Sequence, residues 1–415
     1  MNEKTILVVG TYDTKDDELR FLSEVICEQG GKVLSMDVSV LHDPTSPTDY
    51  SKHDVAHEAS STIEKVIASE DENHAMQIMA KGASLLASRL YQENKFDGVI
   101  LLGGTMGTDL ALDVCSALPI GVPKYIVSTV SFSPLIPPER IAADTQMILW
   151  AGGLYGLNSV CKASLSQAAG AVLGAARSVH PMDHSKPLIG MTSFGKTVLT
   201  YMVSLKPALE ARGFEVAVFH ATGMGGRAFE SLAGQGAFAC VFDFATQELG
   251  NHIHGSSISA GADRMTNAGR AGVPQLVAPG CNDLVDLVGW QPIPEKWSDH
   301  PQHAHNRLLT SVVLTANERR EVAKAHCDQL SAAKGPVKFL MPMQGCHEWD
   351  RQGGDLYDPE GLAAFTKRMR AQCPENAELI EVDAHINDQE FMGVALNCFD
   401  EWMQSGLIPG PTTSS

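Results

Sequence analysis

The feature that most constrains this chain is an alternation repeated along its length. Short, almost uninterrupted apolar runs of strand length are separated by stretches with helical spacing. Residues 4–10 (KTILVVG) end in glycine and lead into 14–29, where Leu19, Leu22, Val25 and Ile26 fall on one stripe. KVLSMDVSV (32–40), DGVILLGG (97–104) and PKYIVSTV (123–130) repeat the pattern, with helical stretches expected at 54–69 and 73–93. Strands that alternate with helices define βαβ units, and strands buried on both faces lose the polar alternation of a half-exposed sheet. A small-residue helix at 158–178 closes this half. A polar, proline-containing stretch, 178–187, reads as a linker. A second series follows at 187–195, 214–223, 238–246, 273–280, 336–342 and 377–383. The expected fold is α/β: two doubly wound Rossmann-like parallel sheets, 1–182 and 183–415, with a ligand cleft between them.

Composition narrows the function classes. The 415 residues carry 31 Lys+Arg against 49 Asp+Glu, a formal charge of −18. Nucleic acid and anionic membrane surfaces both demand a basic face, so neither is an expected partner. No apolar run approaches the length of a membrane span, and the first ten residues read as a strand rather than a targeting signal. Nine cysteines without a CxxC pair suit a reducing, cytoplasmic setting.

In open parallel sheets ligands bind beyond the carboxyl ends of the strands. Three polar segments of the first half fall there: GTYDTK (10–15), GGTMGTD (103–109) and VSTVSFS (127–133). Backbone N–H groups at a helix N-terminus, threonine hydroxyls and Lys15 make an anion site, although neither a Walker A motif nor GxGxxG is present. The competing reading is a pair of ordinary βα turns in which Thr14 or Thr108 caps a helix. In the second half, TSFGKT (192–197) and HATGMGG (220–226) offer the same geometry. Asp243, Glu248 and Arg264 follow nearby, and His220 ends a strand beside a glycine-rich turn, a position suited to acid–base work. HPQHAHN (300–306) and CHEWDRQGGDLYDP (346–359) concentrate histidines and carboxylates without a strong metal signature.

These motifs, in this order, resemble the ATP-binding domain family of the tomato mosaic virus resistance protein. The resemblance runs through VVGTYDTK, DGVILLGGTMGTDLAL, AGGLYGLN, IGMTSFGKT, HATGMGGRAFE, SAGADRM, HAHN and HINDQEF. It implies two Rossmann-like subdomains, ATP in the cleft and a homodimer; Mg²⁺ is expected to accompany the nucleotide. Carried over residue by residue, it implies nucleotide contacts at Gly10, Thr11, Asp13, Thr14, Lys15, Gly103, Gly104, Thr105, Gly195, Thr197, Gly223, Gly225 and Gly226, to which Lys196, absent from the family pattern, is expected to add a phosphate contact. His220, Asp243, Glu248, Arg264, His305 and Asn306 match recurring positions, the first four being the expected catalytic set. The chain departs from the family at Lys196, Ala245 and Gln247, and at His347, where serine is usual.

Three functions fit these features. The first is an ATP-dependent enzyme acting on a small metabolite by phosphoryl transfer or acyl activation. In it, Lys15, Lys196 and Arg264 neutralise phosphates, and Asp13, Asp243 or Glu248 holds Mg²⁺ or serves as base. The second is a non-catalytic nucleotide-dependent binding module. The third is a hydrolase or lyase for a phosphate- or carboxylate-bearing molecule.

Overall fold

The computed structural model describes residues 3–69, 71–180, 185–195 and 199–410. The chain divides into two compact units, Met1–Pro181 and Met182–Ser415.

In the first unit the order is β1 (Thr5–Gly10), α1 (Asp16–Glu28), β2 (Lys32–Asp37), α2 (Lys52–Glu58), α3 (Ile63–Ile67) and α4 (Glu72–Gln92). Then come β3 (Gly98–Gly103), α5 (Thr105–Ala117), β4 (Lys124–Ser128), β5 (Thr145–Leu149) and α6 (Ser159–Ser178). The strands form one parallel sheet in the order β2-β1-β3-β4-β5. The strand pleat explains why the apolar runs are continuous. Leu7, Val9, Val99 and Leu101 enter the core on the α4–α5 face, whereas Ile6, Val8, Ile100 and Leu102 enter the one formed with α1 and α6. The helix expected at 54–69 is broken in two. Ser60 adopts a left-handed φ of 60°, and Thr62 then caps α3 by accepting from the Lys65 N–H. The edge strand β5 was not anticipated from sequence, because its residues are only partly buried and lack a sustained apolar run.

In the second unit, β6 (Leu188–Ser193), α7 (Leu199–Ala211), β7 (Glu215–His220), α8 (Met224–Gly234), β8 (Cys240–Ala245), α9 (Gln247–Ile253), α10 (Asn267–Arg270) and β9 (Gln275–Gly280) come first. They are followed by β10 (Leu284–Val288), β11 (Gln302–Ala304), β12 (Leu309–Val313), α11 (Ala316–Ser331), β13 (Val337–Pro342), α12 (Pro359–Gln372), β14 (Ala377–Val382) and α13 (Gln389–Gln404). Six strands form a parallel sheet in the order β14-β13-β9-β8-β6-β7. Both units are therefore α/β and doubly wound, as expected. The small antiparallel sheet β10-β12-β11 is an addition the sequence did not announce. Its strands are short, and the apolar run of β10 is interrupted by Asp286. Val285 and Val312 nonetheless join Val322 of α11 in a shared core.

Candidate functional site

The order β2-β1-β3 in the first sheet reverses direction between β1 and β3, so the crossovers leaving these two strands diverge to opposite faces and open a crevice at their carboxyl ends. A cavity of about 400 Å³ occupies that place. Its lining contains Thr11, Asp13, Thr14, Lys15, Gly103, Gly104 and Thr105, all anticipated from sequence, together with Leu41, Glu72, Met76, Met106, Gly107 and Tyr155, which were not. Gly10 does not line it. A Cβ there would stand 2.8 Å from Leu19, so glycine at this position lets α1 close onto the strand.

Two helices begin beside the cavity, and they differ in charge. The first turn of α1 carries Asp16, Asp17 and Glu18. Asp16 accepts from Arg20 at 2.8 Å, and Glu18 accepts from the Gly156 N–H at 2.8 Å. These carboxylates already answer the positive end of that helix. In α5 no acidic residue lies in the first turn, and Gly104 at the N-cap supplies no side chain to the exposed amides. Gly103 is needed by packing, since a Cβ would meet Gly107 at 2.6 Å. Gly104 is not: the nearest atom to an added Cβ is the Thr129 hydroxyl at 3.9 Å. The bare helix start therefore faces the cavity. Lys15 approaches from the other loop, its Nζ 4.7 Å from the Tyr155 ring centre, and forms no ion pair among the described residues.

Asp13 has a structural task as well as a cavity position. Its Oδ2 accepts from the Leu41 and His42 N–H groups, each at 3.1 Å, and its own N–H donates to Ser39 Oγ at 3.0 Å. The loop after β2 is thereby tied to the loop after β1. Oδ1 is buried without a partner among the described residues. Thr11 and Thr14 pair through their hydroxyls at 3.1 Å.

At the equivalent reversal of the second sheet, between β6 and β8, the structure places a buried guanidinium. Arg264 binds both oxygens of Asp243 at 2.5 and 2.6 Å, Glu248 at 2.8 Å, Glu230 at 3.2 Å and the Ala245 carbonyl at 3.0 Å. Arg264 and Glu248 are 0% exposed, so the guanidinium spends its donors inside the protein rather than on a phosphate. Burial pushes the Glu230 and Glu248 carboxyls above their ordinary range, while Arg264 pulls them back. Thr192 of β6 donates to Asp243 at 2.8 Å.

The HATGMGG turn has an internal reason for its glycines. Glu248 Oε1 accepts from the Gly223 and Gly226 N–H groups at 2.5 and 3.2 Å, so a carboxylate of the chain already occupies the start of α8. A Cβ at Gly226 would collide with Glu248, and one at Gly225 with the His220 carbonyl. Among the departures noted above, Gln247 donates to the Ala221 carbonyl, and the Ala245 N–H donates to Thr192 at 3.0 Å. His220 is exposed at the end of β7. Its Nε2 accepts from the Gly195 N–H at 3.3 Å, and its Nδ1 pairs with Thr222 at 3.1 Å. Lys196 and Thr197 lie outside the described residues. His305 Nε2 meets Ser311 at 2.8 Å, and Ser311 donates to the buried Asp286 at 2.5 Å. Burial pushes His305 down to about 4. The Asn306 side chain closes its own turn by accepting from the Leu308 N–H at 2.7 Å.

Sequence reasoning did not assemble one further group. Asp283, after β9, and His347 and Asp350, after β13, bring their donor atoms within 4.8 Å of one another, all three residues buried. His347 Nε2 lies 3.0 Å from Asp283, and Arg319 lies 3.5 Å from the same carboxylate. Burial alone would raise Asp283, but the imidazole and the guanidinium outweigh it and hold the carboxyl well below its usual range. The CHEWD sequence was the visible signal. Asp283, distant in sequence, was not.

Fold and cavity together define a doubly wound α/β protein with a crevice at a strand-order reversal. Residues 4–181 match the N-terminal domain, and 186–403 the C-terminal domain, of an uncharacterised protein family, UPF0261. The chain belongs to that family. It is 52% identical over 407 residues to a UPF0261 protein of Brucella melitensis, covering 98% of this chain and 97% of the relative. A Clostridium tetani member is 34% identical, covering 94% and 96%. The ToMV resistance protein Tm-1 of Solanum lycopersicum is 30% identical over 96% of this chain, which spans 56% of that longer protein. Among solved structures, the UDP-GlcNAc 2-epimerase of Methanocaldococcus jannaschii covers 95% of this chain and 91% of its own. At 8% identity and a TM-score of 0.21, that likeness carries no functional argument. No helix among the described residues is long and apolar enough to cross a membrane.

Proposed function

We propose that the first unit binds ATP, its phosphates seated at the start of α5, and that the protein is an ATP-dependent enzyme acting on a small metabolite. The observation that carries this reading is Gly104, a glycine that packing does not require, at an uncapped helix start facing a cavity. Phosphate oxygens match the unsatisfied amides there, and Lys15 adds a cation that forms no ion pair among the described residues. Mg²⁺ brought in with the phosphates would be held by Asp13, through its unpartnered Oδ1, and by Glu72. The family resemblance adds a homodimer, and nine cysteines without a CxxC pair suit a cytoplasmic setting. Phosphoryl transfer and acyl activation both need mainly positioning and charge neutralisation, which these groups supply.

Calorimetric titration with ATP and Mg²⁺ tests the reading. Lys15→Ala and Gly104→Ala are each expected to weaken binding by roughly 10-fold or more, about 1.4 kcal/mol. His53→Ala, at a residue that does not line the cavity, is expected to change nothing. Absence of binding at millimolar ATP overturns the proposal. ADP or AMP release across a panel of small acids and sugars separates an enzyme from a binding module.

A further inference from the structure

We propose that Asp283, His347 and Asp350 form a binding site for one divalent transition-metal ion in the second unit. The ligands come from two chain segments, with Asp283 and His347 separated by 64 positions, and their donor atoms converge within 4.8 Å. No other such group occurs among the described residues. One imidazole with two carboxylates suits Zn²⁺, Co²⁺ or Fe²⁺ better than Ca²⁺ or Mg²⁺, which favour all-oxygen sets.

The surroundings are those of a metal site with access. Asp350 also lines a polar cavity of about 440 Å³, which would bring a hydrated ion to the edge of the cluster, while Asp283 and His347 are buried off that lining. His385, also on that lining, donates from Nε2 to Asp350 Oδ1 at 3.0 Å, and the Cys346 N–H holds Oδ2 at 2.6 Å. Such outer contacts fix a ligating carboxylate in orientation. His347 donates from Nε2 to Asp283 at 3.0 Å, so its proton stands where the ion would sit. Metal uptake moves that proton to Nδ1 and gives up the Trp349 N–H contact to Nδ1 at 3.2 Å. The position of His347 adds a reason to look here. The imidazole stands between two carboxylates, 3.0 Å from Asp283 and 4.0 Å from Asp350.

The test uses the full chain, stripped with chelator and titrated with Zn²⁺ by calorimetry and with Co²⁺ by visible absorption. One equivalent is expected to bind, with Co²⁺ d–d bands. His347→Ser removes the imidazole, and affinity is expected to fall by more than about 10-fold, with circular dichroism checking that the variant is folded. Asp283→Asn gives a second reading of the same loss. The double variant His303→Ala/His305→Ala, on the neighbouring HxH segment, should bind as the natural chain does. The inference is overturned by any of three results: no stoichiometric binding, undiminished binding in His347→Ser, or loss of binding in the His303/His305 variant.

Discussion

Residues of one type do different work in this protein, and glycine shows it best. Gly10, Gly103 and Gly226 are small because neighbouring atoms leave no room, whereas Gly104 is small beside open space. The sequence marks all of them alike as turn glycines, and only three-dimensional surroundings separate packing from ligand approach. Histidine divides similarly. His326 is fully buried in α11, its Nδ1 donating to the Val322 carbonyl at 2.9 Å and its Nε2 meeting Thr246 at 3.0 Å. Burial pushes it down to about 4 from 6.5. Between these values the unfolded chain takes up a proton that the folded chain refuses, so stability is lost as pH falls through that window. The loss reaches about 3 kcal/mol. Urea midpoints at about pH 7 and about pH 4.5 should converge in His326→Gln relative to the natural chain. An unchanged gap would remove His326 from the acid response.

At the scale of elements, the parallel strands were legible because burial on both faces leaves a continuous apolar run. The turns after β1 and β3 were legible because glycine and threonine cluster there. The antiparallel addition was not, since Asp286 interrupts β10 and its partners Ser311 and Asn251 lie far off in sequence. Nor was the role of Arg264. Sequence placed it against phosphate, yet it binds three carboxylates that join β8, α8 and α9. Arg264→Met leaves these buried carboxylates without their cation and is expected to cost about 3–5 kcal/mol in chemical denaturation. Retained stability with lost ATP affinity would instead return Arg264 to the ligand.

At the scale of the molecule, the two cores of the first unit draw only on residues from Ile6 to Ala176. A fragment comprising residues 1–181 is therefore expected to unfold in one cooperative transition and to bind ATP as the full chain does. Circular dichroism melting and calorimetry check this, and a fragment without a cooperative transition would mean that the second unit completes the first.

The carboxylate at the start of α8 carries a different kind of consequence. Glu248 is, in effect, a ligand that the chain has grown for itself, tethered permanently to the amides of Gly223 and Gly226. A tethered ligand can be replaced by a free one. Glu248→Ala should melt at a lower temperature than the natural chain, and formate should restore part of the loss along a saturable curve. Chloride at equal ionic strength should not. Chemical rescue of this kind would show that the second unit retains the architecture of an anion receptor, with its own side chain as the resident guest.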